Sequence, residues 1–298
     1  MEMFLGNLYI GLTLASVFLL ISLGLTFTFG QMGVINLAHG EFIMAGAYVP
    51  FVLQTTLFEG ARGTAVLVAL PVAFVVAGAM GVLLDRVVLR RMYGRPLDTL
   101  LATFGVSLIL QQVARDLFSA NNKNVETPSF LTGQTEVFGV SLSHTRLFII
   151  AIVIITMVAV GTFMTRLAAG RRMRAVVQNR ELAAVSGLPT ARVDATTFFL
   201  GSGLAGVAGV AVSLIGPVGT GTGTAYVLSA FLVVIVGGLG GLRGVIIAAV
   251  MLGVLNAFVE SWTSSTIGKA AVFAFVILFL QLRPNGVMTL RTRGLVKA

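Results

Sequence analysis

Long apolar runs joined by short polar links make up most of this chain. They fall at residues 8–29, 31–58, 64–84, 97–118, 146–168, 193–215, 227–261 and 268–282. Most reach about the 20 residues that a helix needs to cross a bilayer, so the pattern predicts an all-α fold, a polytopic transmembrane helical bundle forming one domain over 1–298. The residues before the first run include Glu2 and no Lys or Arg. A cleaved signal has a basic start and a shorter core, so this run is expected to stay as a span.

Two runs are too long and too broken to be simple spans. As one helix, 31–58 would measure about 42 Å against a hydrocarbon core of about 30 Å, and Asn36, His39, Gly40 and Glu41 interrupt it. The run 227–261 is longer, and Gly237, Gly238, Gly240, Gly241 and Gly244 divide it near its middle. Both predict discontinuous helices. Segments interrupted in corresponding places of two halves point to an inverted repeat with a transport path between the halves.

Composition narrows the class. Hydrophobic residues are 57% of the chain and charged ones 10%, against about a quarter charged in soluble domains, which excludes a soluble enzyme. The chain has no Cys, which removes disulfides, thiolate zinc sites and iron–sulfur centres. A net charge of +9 would suggest nucleic acid on a soluble protein, yet 14 of the 20 basic residues sit in three segments, 86–95, 166–192 and the tail from 283. The positive-inside rule places these in the cytoplasm, and charges split among short loops make no nucleic-acid face. Residues 119–145 and 216–226 are then outside. The glycine break must therefore reverse the chain, as two short spans or a re-entrant pair. For 31–58 parity leaves one bent crossing with the N-terminus outside, favoured by its uncharged start, or a re-entrant pair with it inside.

Few residues offer chemistry. No phosphate-binding G-x-x-x-x-G-K-[ST] occurs, so ATP hydrolysis needs another chain. Gly201, Gly203 and Gly206 fit G-x-G-x-x-G, but within a span they are expected to let helices approach. His39 and Glu41 are ionisable groups at membrane depth, a functional signal by default. They are expected to pair at the helix break, where free N–H groups favour a carboxylate, with Gln31 and Asn36 nearby to serve the backbone or a polar solute. Gln111 beside Arg115, and Gln112 beside Asp116, suit interfacial anchoring, while Asn256 and Glu260, one turn apart, are assigned to an outer cavity. Residues 171–185 predict one short cytoplasmic helix, stopped by Gly187 and Pro189, which either docks a partner, with Val176, Val177 and Ala184 among its contacts, or lies on anionic lipid.

The stretch Gly24-Leu25-Thr26-Phe27-Thr28-Phe29-Gly30, then Gly33-Val34-Ile35-Asn36-Leu37-Ala38-His39-Gly40-Glu41 to Gly46-Ala47-Tyr48, resembles the signature of the branched-chain amino acid family of ABC-transporter permeases. Within it, Leu100 to Gln112, the Asn121-Asn122 loop with Pro128, Arg174-Ala175-Val176-Val177-Gln178-Asn179 and Gly201-Ser202-Gly203 look most like the B-type permease subunit of urea transporters. The resemblance implies a multi-pass subunit of the bacterial inner membrane, with its basic loops and C-terminus cytoplasmic. Its implied partners are a second related permease, two cytoplasmic ATPases that use ATP and Mg²⁺, and a periplasmic or lipid-anchored solute-binding protein. It also implies that Arg166, Gly170, Arg174, Ala175, Gln178, Asn179 and Gly187 belong to an ATPase-coupling loop at about 166–192. Residues 181–187 follow the generic importer E-A-A pattern only loosely. On this reading the chain is no enzyme, binds no cofactor or metal itself, contacts membrane lipid and no nucleic acid, and forms half of a path for urea or short amides. The alternatives are a branched-chain or other hydrophobic amino acid, or a self-sufficient ion-coupled transporter or passive urea channel.

Overall fold

A computed structural model describes residues 2–32, 35–93, 95–137, 139–238, 241–284 and 286–288. The helices are α1 (Glu2–Met32), α2 (His39–Thr56), α3 (Arg62–Val87), α4 (Pro96–Phe118), α5 (His144–Arg166), α6 (Ala168–Gln178), α7 (Arg180–Val185), α8 (Thr190–Ser213), α9 (Thr222–Gly237), α10 (Leu242–Trp262) and α11 (Ser265–Leu282). Among the described residues seven helices are long and apolar enough to cross a membrane: α1, α3, α4, α5, α8, α10 and α11. A hairpin of β1 (Gln134–Val137) and β2 (Val140–Ser143) precedes α5.

The two ends of the bundle can be told apart from contacts. At one end, Tyr9 of α1 donates to the Ser143 carbonyl, Asn7 to Ser261 at the end of α10, and Gln54 of α2 to the Glu126 carbonyl. This hairpin end therefore holds the start of α1. The other end, rich in Arg, holds the turn after α3, helices α6 and α7, and the stretch after α11. Starting at the hairpin end, α1 crosses once and α2 returns, which is the bent crossing with the N-terminus on the hairpin side.

Packing repeats when α1–α2–α3–α4 is exchanged for α8–α9–α10–α11. Helix α3 lies along α8 as α10 lies along α1, α2 packs on α8 and α3 as α9 packs on α1 and α10, and α4 touches α2 as α11 touches α9. Because α1 starts at the hairpin end and α8 at the basic end, the two sets run in opposite senses, and the expected inverted repeat is present. Small residues make this closeness possible. A Cβ on Gly201 would meet α1 at Gly24 and Thr28, one on Gly203 would meet Phe74 of α3, and one on Gly209 would meet α2 at Ile43 and Ala47. The dinucleotide-like spacing is thus a packing stripe on a helix buried nearly all round.

Both predicted interruptions exist, with changes of detail. Gly40 is not itself the break: it lies in the first turn of α2, and the chain turns before it, at Leu37 and Ala38. The second break separates α9 from α10 as two helices. Gly238 takes φ +91, a conformation that suits Gly, and Gly237 and Gly244 touch so closely that neither has room for a Cβ. Gly241 caps α10 at φ −100 and a Cβ there would meet only the Met288 carbonyl, at 3.5 Å. Gly241 is therefore less demanding than its neighbours. Gly240 lies outside the described residues. The chain after α11 returns to this break, where Val287 N–H donates to the Val236 carbonyl at 2.8 Å.

Candidate functional site

The two shorter helices created by the breaks begin against each other. A Cβ on Gly40 would fall on the Gly223 backbone and one on Gly223 on that of Gly40, so the first turns of α2 and α9 are in backbone contact. From this meeting point α2 runs to the hairpin end and α9 to the basic end. Two helix starts, each with partial positive charge, therefore converge inside the bundle, with the N–H groups of His39, Glu41 and Thr222 already held by the Asn36, Ala38 and Gly219 carbonyls.

Glu41 is seated here and is 1% exposed. Its Oε1 accepts from Ser107 Oγ and from Gln111 Nε2, both at 2.8 Å. Gln111 also reaches Thr224 Oγ1 at 3.2 Å, on the first turn of α9, so one α4 side chain bridges both helix starts. The Glu41 Oε2, the Asn36 amide and His39 Nδ1 are buried and have no hydrogen-bond partner among the described residues. Thr224 is exposed and Gln111 half-buried, so the rim of the cluster reaches the surface between α4 and α9 while Glu41 lies buried beneath it.

The expected His39–Glu41 pair does not form. Glu41 turns to α4, while the His39 ring turns to α1, its Nε2 3.4 Å from the Ile21 carbonyl. Gln111 is not a surface anchor beside Arg115, because its amide is drawn inward by the carboxylate; Gln112 does donate to Asp116, at 2.9 Å. Asn256 and Glu260 are also placed elsewhere. They meet each other at 3.4 Å and pack on Gly268 of α11, since α10 runs along α1 and not beside the Glu41 cluster. The Gln31 side chain lies outside the described residues. Ser107 and Thr224 escape a sequence reading; Ser107 and Gln111, polar groups four apart in an apolar run, carry the available signal. Among the described residues no three His, Asp or Glu side chains come together in a metal-holding group.

A broken-helix crossing that buries a carboxylate between two helix starts is the layout of a membrane transport path. Comparison with known sequences decides whose. The family described as "Branched-chain amino acid transport system / permease component" matches residues 7–282. The chain belongs to this family. It is similar to the high-affinity branched-chain amino acid transport permease LivH of Escherichia coli K12, 31% identical over 96% of the chain and 95% of the relative. BraD of Pseudomonas aeruginosa is 29% identical over 96% of the chain and 95% of its own length. LivM of E. coli K12, a second permease of such a system by name, is 24% identical over 93% of the chain and 68% of its own length. No solved structure matches the chain. As a member of this family of transport permeases, the chain is a multi-pass membrane subunit and not an enzyme.

The segment 171–185, expected as one helix, falls in two, α6 and α7. Asn179 is extended between α6 and α7 and caps α7, its side chain accepting from Leu182 N–H at 2.9 Å. Gly187, at φ +81, ends α7 as expected. Gly170 packs without room for a Cβ against Phe163 and Met164 at the end of α5. With Gly170, Met173 and Val176 buried, the apolar side of α6 faces its own spans, so Val176 is not docking surface. Arg166, Arg174, Gln178 and Asn179 are exposed and Ala175 half-buried. In α7 the exposed apolar residues are Leu182, at 63%, and Val185, at 87%, with Ala184 between them.

Proposed function

We propose that this chain is one half of the membrane path of an ATP-driven importer of branched-chain amino acids. The observation that carries this reading is the Glu41 carboxylate, with one oxygen held and one free, between two helix starts. An amino acid zwitterion has a carboxylate that suits the N–H groups and an ammonium that suits Glu41 Oε2. The names of the relatives support the same substrate. Asn36 and His39 flank the cluster, and Gln111, Ser107 and Thr224 complete it; Gln31 belongs with them by sequence alone.

The rest of the machine lies in other chains: a second related permease, two ATPases that bind ATP and Mg²⁺, and a periplasmic or lipid-anchored solute-binding protein. The basic end, with Arg166, Gly170, Arg174, Ala175, Gln178, Asn179 and Gly187, faces the cytoplasm and the ATPases. Residues 1–298 act as a single permease domain in the cell membrane. The second reading, urea or a short amide, rests on the Asn36, Gln111 and Thr224 groups, which would serve a neutral solute with N–H donors and a carbonyl.

The test is uptake by the complete complex in proteoliposomes. ATP-dependent leucine uptake with no urea uptake is expected, and Glu41→Gln should lower leucine uptake by about tenfold or more, the loss of one charge-assisted hydrogen bond. Urea uptake without leucine uptake would restore the urea reading. Uptake by the purified chain alone would remove the ABC mechanism.

A further inference from the structure

Four side chains at the basic end join the loop to the spans. Asp85, in the last turn of α3, and Asp194, near the start of α8, are each 2% exposed. A carboxylate buried there persists only if it is paired. Arg180, the first residue of α7, meets both Asp194 oxygens with its two terminal nitrogens, at 3.0 and 2.6 Å. The same guanidinium lies over the Tyr93 ring, 5.4 Å from its centroid, and the Tyr93 hydroxyl donates to the Asp85 carboxylate. The bond to Asp194 raises the Arg180 pKa, while burial and then the Asp85 bond raise that of Tyr93, so one stays a cation and the other a donor.

What these groups hold is the rigid middle of the bundle. Gly78 and Gly81 of α3 are packed on Phe199 and Ser202 of α8, and α8 is packed through Gly206 on Gly46 of α2, the helix that carries Glu41. Close-packed helices without slack transmit displacement instead of absorbing it. Arg174 is exposed and makes no such link among the described residues.

We propose that Arg180 is a positioning residue that transmits movement of the coupling helices to α3 and α8, through its forked pair with Asp194 and its stacking on the Asp85-bound Tyr93. This rests on the importer reading above. Only a planar fork makes both contacts at once, so Lys would not replace it fully.

The complete complex in proteoliposomes tests this, with the ATPase recovered by pull-down and with hydrolysis and transport measured together. Arg180→Met should leave the ATPase bound while transport per ATP hydrolysed falls about tenfold, as expected for loss of a forked charge pair. Arg180→Lys should recover part of that ratio. Tyr93→Phe keeps the ring under Arg180 and removes only the bond to Asp85, and should lower the same ratio by a smaller factor in the complexes that assemble. An unchanged ratio in both Arg180→Met and Tyr93→Phe overturns the proposal. Loss of ATPase binding by Arg180→Met, with a normal ratio in the complexes that remain, also overturns it and makes Arg180 a docking contact. Arg174→Glu separates docking from transmission: if it changes neither recruitment nor transport, Arg174 is no part of the docking face, and failure of the importer reading shows separately, as uptake that needs no ATPase.

Discussion

Glu41 shows how a single residue can be legible as important and illegible in its contacts. Its charge in an apolar run marked it, since an ionisable group at that depth persists only for a reason. Its partners could not be found the same way, because Ser107 and Gln111 are more than 60 residues away and reach it only after α4 folds against α2. His39, two residues off, was the nearer guess and was wrong in direction. Glycine positions follow the same logic. Those in the second break all signal a turn, but only the structure ranks them: Gly244, whose Cβ would strike the Gly237 carbonyl, is the strict one, and Gly241 is open. We expect Gly244→Ala to destabilise the purified protein by about 1–3 kcal/mol, the usual range for overpacking, with Gly241→Ala much milder. Thermal unfolding in detergent compares the two; equal midpoints would contradict this ranking.

At the scale of elements, hydrophobic periodicity located the spans and both interruptions because bilayer thickness imposes a length that sequence must honour. The loop at the basic end obeys no such constraint. Good helix formers on both sides of Asn179 read as one helix, and the split into α6 and α7 depends on a side-chain cap invisible to propensity. The split has a consequence for docking. With the α6 apolar face spent on Met173 and Val176, the most exposed large apolar residues of the two helices are Leu182 and Val185 of α7. Leu182→Glu with Val185→Glu should therefore abolish ATPase pull-down while the permease pair still assembles, and Val177→Glu should weaken it less. Full ATPase recovery by the double variant would move the docking surface elsewhere.

At the scale of the molecule, the inverted repeat was foreseeable from two broken runs, whereas the placement of the site between α4 and α9 was not. Corresponding breaks in sequence say that two helix starts exist, and only tertiary packing says that they meet. The rim of the cluster reaches the surface on that side in a single chain, with Thr224 exposed. Since the chain has no Cys, Thr224→Cys gives a single reactive thiol. A water-soluble thiol reagent should modify it in the isolated subunit and more slowly once the second permease is bound. Equal rates would mean that the two permeases meet on another face.

The contact of Gly40 with Gly223 is placed as the pivot of a lever would be. The 18 residues of α2 and the 16 of α9 extend from it in opposite directions, giving arms of about 27 and 24 Å at 1.5 Å per residue. A tilt of about 10° would swing either far tip by roughly 4–5 Å, and leave the point between the helix starts almost stationary. A solute resting at Glu41 would then stay where it is while the doors above and below it move.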